Sequence, residues 1–286
     1  MGPRTSHPFS GRAVSDVVGF ILVFSIVLTG VGLVSVNGFN ALSEYTDQQQ
    51  VRNAERGMQA VSSTLDELHR NGDTYRQFDI SLGGGNVRYN RTVISLKSSD
   101  VDLSGLPESA DPDRTDIQVN ALEQQFDRSG AEVTLSYEAG GLFRSPGAPA
   151  SYEPTLQCEP GSGGTTIVSL VNLTTDDIFT AGEYDRDPTI QARSAPEDLP
   201  VAAENEFASF EAELDGQHRV FEAGPSPKNI TIDVSDSGSP DQWGTYLTEN
   251  DWKDQGGGEY SCEGQTVLIR ISTIELSLLR AQNLDE

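Results

Sequence analysis

Hydrophobic and polar residues follow three successive patterns along this chain, and the first is a long apolar run. From Val17 to Val36 there are twenty residues without a charge. A helix rises ~1.5 Å per residue, so the run would be ~30 Å long, which matches the hydrocarbon core of a bilayer. The pattern predicts a transmembrane helix at about residues 17–36.

The second pattern is typical of an amphipathic or coiled-coil helix, because its apolar residues recur at spacings of three and four. The sequence Asn71-Gly72-Asp73 then favours a helix end. We therefore predict one N-terminal helix over residues 14–72, whose outer half packs on the protein's own sheet or on neighbouring subunits. The spaced apolar residues are Val51, Ala54, Met58, Val61, Leu65 and Leu68.

The third pattern begins near residue 73 and has a period of two, which is typical of β-strands. Two hairpins are predicted, one over 78–96 around three glycines and one over 117–137. The further predicted elements are a buried strand at 165–173, strands at 206–214, 219–222 and 229–234, a short helix at 240–250 and a closing strand at 266–279.

These patterns together predict an α+β fold class. A long transmembrane and amphipathic N-terminal helix would precede a β-rich, sandwich-like domain at 73–286. An acidic chain can also be disordered, but 36% hydrophobic residues and repeated β-branched runs favour a folded domain here.

The charge balance is strongly acidic, with 19 Lys+Arg against 44 Asp+Glu and a net charge of −25. At molar salt the screening length falls to ~3 Å, so self-repulsion on this scale is tolerated there. The balance therefore indicates the surface of a halophilic protein. Nucleic acid is excluded as a partner, since phosphates would be repelled and no Lys/Arg stripe is present.

The charges that flank the apolar run predict its orientation. Arg4 and Arg12 precede it, whereas Glu44 and Asp47 follow it. By the positive-inside rule the N-terminus would be cytoplasmic and the following domain extracellular, with membrane lipid as a partner of the run.

A short motif precedes the run, Arg12-Ala13-Val14-Ser15-Asp16-Val17-Val18-Gly19. It resembles the class III signal peptide of haloarchaeal type IV pilins and archaellins, with Asp16 where those proteins usually have proline. The resemblance implies a leader at 1–13 that a prepilin peptidase removes after Ala13, leaving Val14 as the mature N-terminus. Arg12, Ala13 and Val14 would direct processing, and Asp16 and Gly19 would take part in assembly. The alternative is an uncleaved signal anchor.

Two cysteines, Cys158 and Cys262, are the whole complement. In an oxidising exterior a lone pair favours a disulfide over two free thiols. Three glycosylation sequons begin at Asn90, Asn172 and Asn229, and the alternative is that these are ordinary Thr-containing strand residues.

The sequence contains no clear motif for catalysis or for metal binding. The run from Asp100 to Gly105 has the spacing of a calcium-binding loop, with Asp111 at the twelfth position. The glutamate that normally closes such a loop is missing, so we favour an ordinary solvated loop over a calcium site. His218 is the one distal histidine, and no nucleophile elbow, zinc motif or phosphate loop is present. We expect no enzymatic activity, no cofactor and no metal site.

The functional expectation is a membrane-anchored, glycosylated, pilin-like surface protein of a halophilic archaeon. It would be a structural or minor subunit of a type IV pilus-like filament, with homo- or hetero-filament subunits as partners. The alternative is a singly anchored surface protein for binding or adhesion.

Overall fold

The computed structural model describes residues 12–82, 85–107, 113–128, 131–147, 151–175, 200–202 and 207–282. Two helices and thirteen strands form within these ranges. The chain divides into two units, residues 1–49 and 50–286. The predicted leader, apart from its last two residues, lies outside the described residues.

The first helix, α1, runs from Arg12 to Asn71. It ends where Gly72 adopts a φ of 69° and donates its N–H to the Leu68 carbonyl at 3.2 Å. Glycine takes this left-handed conformation without strain, so it terminates the helix. In the second unit one side of α1 is buried against the sheets. The buried residues are Val51, Ala54, Met58, Val61, Leu65 and Leu68.

The predicted α+β fold class with a transmembrane N-terminal helix is wrong. The described residues are mostly β, and no helix among them is both long enough and apolar enough to cross a membrane.

The strand content exceeds the prediction because two strands run through residues that usually break strands. One strand of 27 residues contains Gly216 and Pro225, and its partner of 24 residues contains Gly264. Register shifts near Gly216 and between Ala223 and Lys228 accommodate the extra residues, so both strands continue as bulged ladders.

The strands form two sheets. Their bounds are β1 Tyr75–Ser81, β2 Asn86–Asn90, β3 Val93–Lys97, β4 Arg114–Gln118, β5 Ala121–Arg128, β6 Ala131–Glu138, β7 Gly141–Ser145, β8 Thr155–Cys158, β9 Thr165–Thr174, β10 Pro200–Ala202, β11 Phe207–Asp233, β12 Lys253–Gly256 and β13 Glu259–Gln282. The eight-stranded sheet has the order β4-β3-β11-β13-β9-β8, with β1 beside β11 and β12 beside β13. The five-stranded sheet has the order β10-β2-β5-β6-β7. Only β9 and β13 pair in parallel among the described strands.

Two hydrophobic cores lie on opposite faces of the eight-stranded sheet, as alternation along β13 shows. Ile274 and Leu276 join α1 and the five-stranded sheet in the first core. Ile269 and Ile271 join the second core, which includes Trp243 of the second helix, α2, Pro240–Glu249. Alternate residues of one strand therefore stabilise two separate cores.

Local predictions had mixed outcomes. The second predicted hairpin is confirmed from Ala121 on, since β5 pairs with β6, but Ile117 belongs to β4, which pairs with β3 in the other sheet. The helix predicted at 240–250 is confirmed as α2. The first hairpin is wrong, because β1 pairs with β11 whereas β2 pairs with β5 in the other sheet. The glycines after β1 therefore connect two sheets instead of closing a turn within one.

Candidate functional site

The largest exposed apolar surface in the described residues lies on α1 within the first unit. We call residues 18–32 the apolar segment. Its ten large hydrophobic side chains are each between 52% and 69% exposed. These residues are Val18, Phe20, Ile21, Leu22, Val23, Phe24, Ile26, Val27, Leu28 and Val31.

The apolar segment is hydrophobic around its whole circumference. Residues 20–24 are five consecutive large apolar residues, and one helical turn holds about 3.6 residues. No charged residue interrupts the segment. A helix that is apolar on every side is normally surrounded by other apolar groups. A single partner on one face would therefore leave most of this surface in contact with water.

The polar atoms of the segment are already satisfied. Ser25 donates its hydroxyl to the Ile21 carbonyl at 2.7 Å, and Thr29 donates to the Ser25 carbonyl at 2.7 Å. A Cβ added at Gly19 or at Gly30 would meet no atom within 4 Å, so the backbone is open to close approach by another helix. The segment can therefore enter an apolar surrounding without leaving a hydroxyl unpaired.

The processing and assembly residues are only partly described. The helix already begins at Arg12, so Ala13, Val14 and Asp16 have helical backbones, but the side chains of 12–17 lie outside the described residues. Gly19 is exposed on the helix. Their roles in cleavage and assembly stay predictions.

The predicted disulfide is confirmed. Cys158 of β8 is bonded to Cys262 of β13 with their Cα atoms 5.8 Å apart, and both cysteines are buried. In the chain-entropy account, a bond across a sequence separation of 104 stabilises the fold by constraining the unfolded chain.

The three sequons differ in accessibility. Asn172 lies inside β9 and is 6% exposed, so its amide is not accessible in the folded chain. Asn90 is half-buried and donates its Nδ2 to Glu123 Oε1 at 3.1 Å. Asn229 is half-buried in β11. Modification of these residues stays a prediction, and burial counts against Asn172.

A buried histidine, which sequence reasoning placed only on the helix, joins α1 to the eight-stranded sheet. His69 Nδ1 lies 2.7 Å from Ser272 Oγ of β13, and its Nε2 lies 2.6 Å from Ser169 Oγ of β9. Burial, aided by the charges of Arg270, Arg70 and Arg219, lowers the pKa of His69 to about 3. The ring is therefore neutral near pH 7 and bridges two hydroxyls.

Two buried glutamates on neighbouring strands were also missed, because 44 acids make any pair uninformative in the sequence. Glu138 accepts the Gly238 N–H at 2.8 Å and the Trp243 Nε1–H at 3.0 Å. Burial raises the pKa of Glu138, although these hydrogen bonds act against the shift. Glu123 is paired with Arg88 Nε at 2.6 Å. Both carboxylates are engaged by groups of the fold itself.

In the loop that resembles a calcium site, two carboxylates accept hydrogen bonds from backbone N–H groups of the protein itself. Asp100 Oδ2 accepts the Asn229 N–H at 3.1 Å, and Asp102 Oδ1 accepts the Ser104 N–H at 2.9 Å. Asp111 lies outside the described residues. No group of three or more His, Cys, Asp or Glu suited to a metal ion occurs in the described part of the chain.

His218 is separate from these groups. Its Nδ1 lies 3.3 Å from the Gly105 carbonyl, and the structure places no acid–base partner on it among the described residues. Among the features described above, the apolar segment is the largest exposed surface.

Comparison with known proteins identifies the family of this chain without identifying its activity. No curated protein and no solved structure matches the chain. Residues 12–277 match a family of unknown function, DUF7289. Since that match spans both α1 and nearly all the strands, the chain belongs to the DUF7289 family.

Proposed function

We propose that this chain is a pilin-like subunit of a cell-surface filament in a halophilic archaeon, and that its apolar segment packs among copies of itself in the filament core. The observation that carries the proposal is the ring of ten exposed hydrophobic side chains around α1. Burying a single large hydrophobic side chain stabilises an assembly by about 1.5–3 kcal/mol, so burying all ten would contribute a large free energy of association.

The geometry of the segment favours an open assembly over a dimer. In a dimer each helix covers one face of the other, whereas this helix is apolar on every face. Repeated head-to-tail contacts that do not close into a ring produce filaments, and they surround each helix with several neighbours. The small residues of the segment allow those neighbours to approach closely.

The processing motif and the disulfide agree with this role. Arg12-Ala13 ahead of Val14 resembles the site where a prepilin peptidase cuts. The disulfide suits an oxidising location outside the cell. An excess of acids suits a surface in molar salt.

The proposal is tested by shearing cells that express the full chain and assaying the filament fraction. The native chain should appear in that fraction with Val14 as its N-terminus by mass spectrometry. The variant Leu22→Asp, which places a charge in the apolar segment, should be lost from the fraction. Asn53→Asp adds the same charge on an exposed position of α1 outside the segment and should be retained.

A different result would favour the alternative function, a singly held surface protein for binding or adhesion. In that case the N-terminus stays at Met1 or Gly2, and nothing leaves the cells on shearing. The filament proposal would then be wrong.

A further inference from the structure

Three arginines meet on one face of the eight-stranded sheet. Arg219 of β11 lies directly opposite Arg270 of β13. Arg270 lies beside Ser169 of β9, which in turn lies opposite Thr155 of β8. Arg70, near the end of α1, donates its Nη2 to Thr155 Oγ1 at 3.2 Å. Arg219, Arg270, Ser169 and Thr155 thus form one row across four neighbouring strands, and Arg70 reaches the end of this row from α1. We call Arg70, Arg219 and Arg270 the arginine row.

The arginine row is poorly neutralised. Arg70 is paired with Asp66 at 2.8 Å. Arg219 donates to Gln217 Oε1 at 2.8 Å and Arg270 donates its Nε to Ser169 Oγ at 3.3 Å, and neither forms an ion pair with a described residue. Burial, together with the charges of Arg219 and Arg70, lowers the pKa of the Arg270 guanidinium, although the charge of Asp66 acts against the shift.

Such an arrangement is unusual in this particular chain. Like charges directly opposite on neighbouring strands destabilise a sheet. With 44 Asp+Glu available against 19 Lys+Arg, a carboxylate partner is easy to supply. Arg70, Arg76, Arg88, Lys97, Arg114, Arg144 and Lys228 each have one. The chain nevertheless places Arg219 opposite Arg270 without one.

An apolar patch of three residues, Phe221, Leu268 and Ile167, lies next to the arginine row. Phe221 is two residues beyond Arg219 on the same face of β11, and its side chain is 66% exposed. It lies opposite Leu268 of β13, which lies beside Ile167 of β9. Both of these neighbours are half-buried. An exposed aromatic ring beside arginines is the composition found at energetically dominant positions of protein interfaces.

We propose that the arginine row and Phe221 form a docking surface for a carboxylate-bearing segment of a second copy of this chain. Guanidinium groups bind carboxylates through two parallel hydrogen bonds, and Phe221 would cover the apolar part of the incoming segment. The bound carboxylate supplies the counter-charge that Arg219 and Arg270 lack.

A second copy is the occupant because of its charge. Each copy carries a net charge of −25, so at low ionic strength two copies repel one another over most of their surfaces. The arginine row is a place where an acidic segment of a neighbour is attracted instead, and electrostatic complementarity of this kind sets the relative orientation of partners. This contact lies wholly in the second unit and goes beyond the proposed packing of the apolar segment.

The dipole of α1 explains part of the row but not all of it. The negative end of a helix favours cations in its last turn by about 0.3–1 kcal/mol, and the effect falls off within that turn. Arg70 is in that turn. Arg219 and Arg270 are on strands, and the dipole gives no reason for the exposure of Phe221.

The test measures self-association of the full chain by sedimentation equilibrium in detergent, which covers the apolar segment. The native chain should associate reversibly. The double variant Arg219→Glu/Arg270→Glu should raise the dissociation constant by at least about tenfold. The matched control Arg56→Glu/Arg91→Glu makes the same charge change at exposed arginines elsewhere in the second unit, and it should stay within about twofold of the native value.

Two further variants separate this inference from folding and from the filament proposal. Arg219→Gln/Arg270→Gln removes the like-charge pair, so it should fold with unchanged circular dichroism and still associate weakly. Leu22→Asp, which tests the filament proposal, should leave this dissociation constant unchanged. A native chain that stays monomeric, an equal constant for the native chain and the Glu variant, or association abolished by Leu22→Asp alone would overturn the inference.

Discussion

The two halves of α1 have opposite relations to the rest of the protein. In the apolar segment, every described large hydrophobic side chain is more than half exposed. Between Val51 and Leu68, the six regularly spaced hydrophobic residues are at most 5% exposed. One continuous helix therefore contains a hydrophobic surface that the chain buries itself and another that it leaves uncovered.

The spacing of the residues explains this difference. A stripe with spacings of three and four lies along one side of a helix, and a single sheet can cover it. A segment that is apolar on all sides cannot be covered by one sheet, because half of its circumference always faces away. Periodic hydrophobicity thus predicts burial within the chain, whereas uniform hydrophobicity predicts burial by something else.

Loss of the disulfide should give the largest effect, and only in the second unit. Replacing both cysteines, Cys158→Ser/Cys262→Ser, should lower the free energy of unfolding by up to ~4.7 kcal/mol, because the bond closes a loop of about 100 residues. Chemical denaturation followed by tryptophan fluorescence measures it, since Trp243 and Trp252 are buried in the same core as the cysteines. Reduction of the native chain should give a matching loss, and an unchanged midpoint would contradict the prediction.

Shortening a side chain in the buried half of α1 should have an effect of comparable size. Leu65 is fully buried in the first core, so Leu65→Ala should destabilise the second unit by about 2–5 kcal/mol through lost burial and a new cavity. Denaturation midpoints of the variant and the native chain provide the measurement. A loss below about 1 kcal/mol would show that this half of α1 is not held by the sheets.

The pH dependence of the unfolding free energy tests how His69 attaches the C-terminal end of α1 to the eight-stranded sheet. The unfolded chain protonates His69 near pH 6.5, but the folded chain does so only near 3. The stability from this group is therefore fully present above pH 6.5 and is lost as the pH falls towards 3, at about 1.4 kcal/mol per pH unit.

The measurement compares unfolding free energies of the native chain and His69→Gln between pH 7 and 5. Carboxylates contribute equally to both proteins, so the difference in slope isolates the histidine. Parallel slopes would mean that the ring is accessible to protons in the folded state, contrary to its bridge between Ser169 and Ser272.

The smallest effect is expected in the exposed half. Leu22 is 57% exposed, so Leu22→Ala should change the unfolding free energy of the chain in detergent by less than about 0.5 kcal/mol. It is the matched counterpart of Leu65→Ala on the same helix. Equal losses for both variants would remove the distinction between the two halves.

Local patterns were predictable where neighbours in the sequence are also neighbours in space. The β5–β6 hairpin and α2 depend on turns and on helical spacing within about twenty residues, so their residues reveal them. The hairpin predicted around residues 83–85 failed because β1 found its partner more than 120 residues away, on β11. Glycine identifies a bend but not the strand to which the chain then pairs.

The fold class was mispredicted for a related reason. The sequence predicts three short strands at 206–214, 219–222 and 229–234, with Gly216 and Pro225 between them. In the structure β11 continues through both residues as one bulged strand along β13. A pairing partner satisfies the backbone on both sides of each bulge, and that partner cannot be seen in a local window. The α+β prediction therefore gave too much weight to the N-terminal helix.

The sequence by itself determined which surfaces of α1 are apolar, that the two cysteines were available to pair, and that the chain is strongly acidic. Only the tertiary structure decided that His69 bridges two strands and that Arg219, Arg270 and Phe221 share one face. These arrangements arise from the register of β11, β13 and β9, whose paired residues lie about 25–100 positions apart in the chain. Side-chain neighbours across a sheet are set by which strands pair and in what register, and no periodicity within a single segment contains that information.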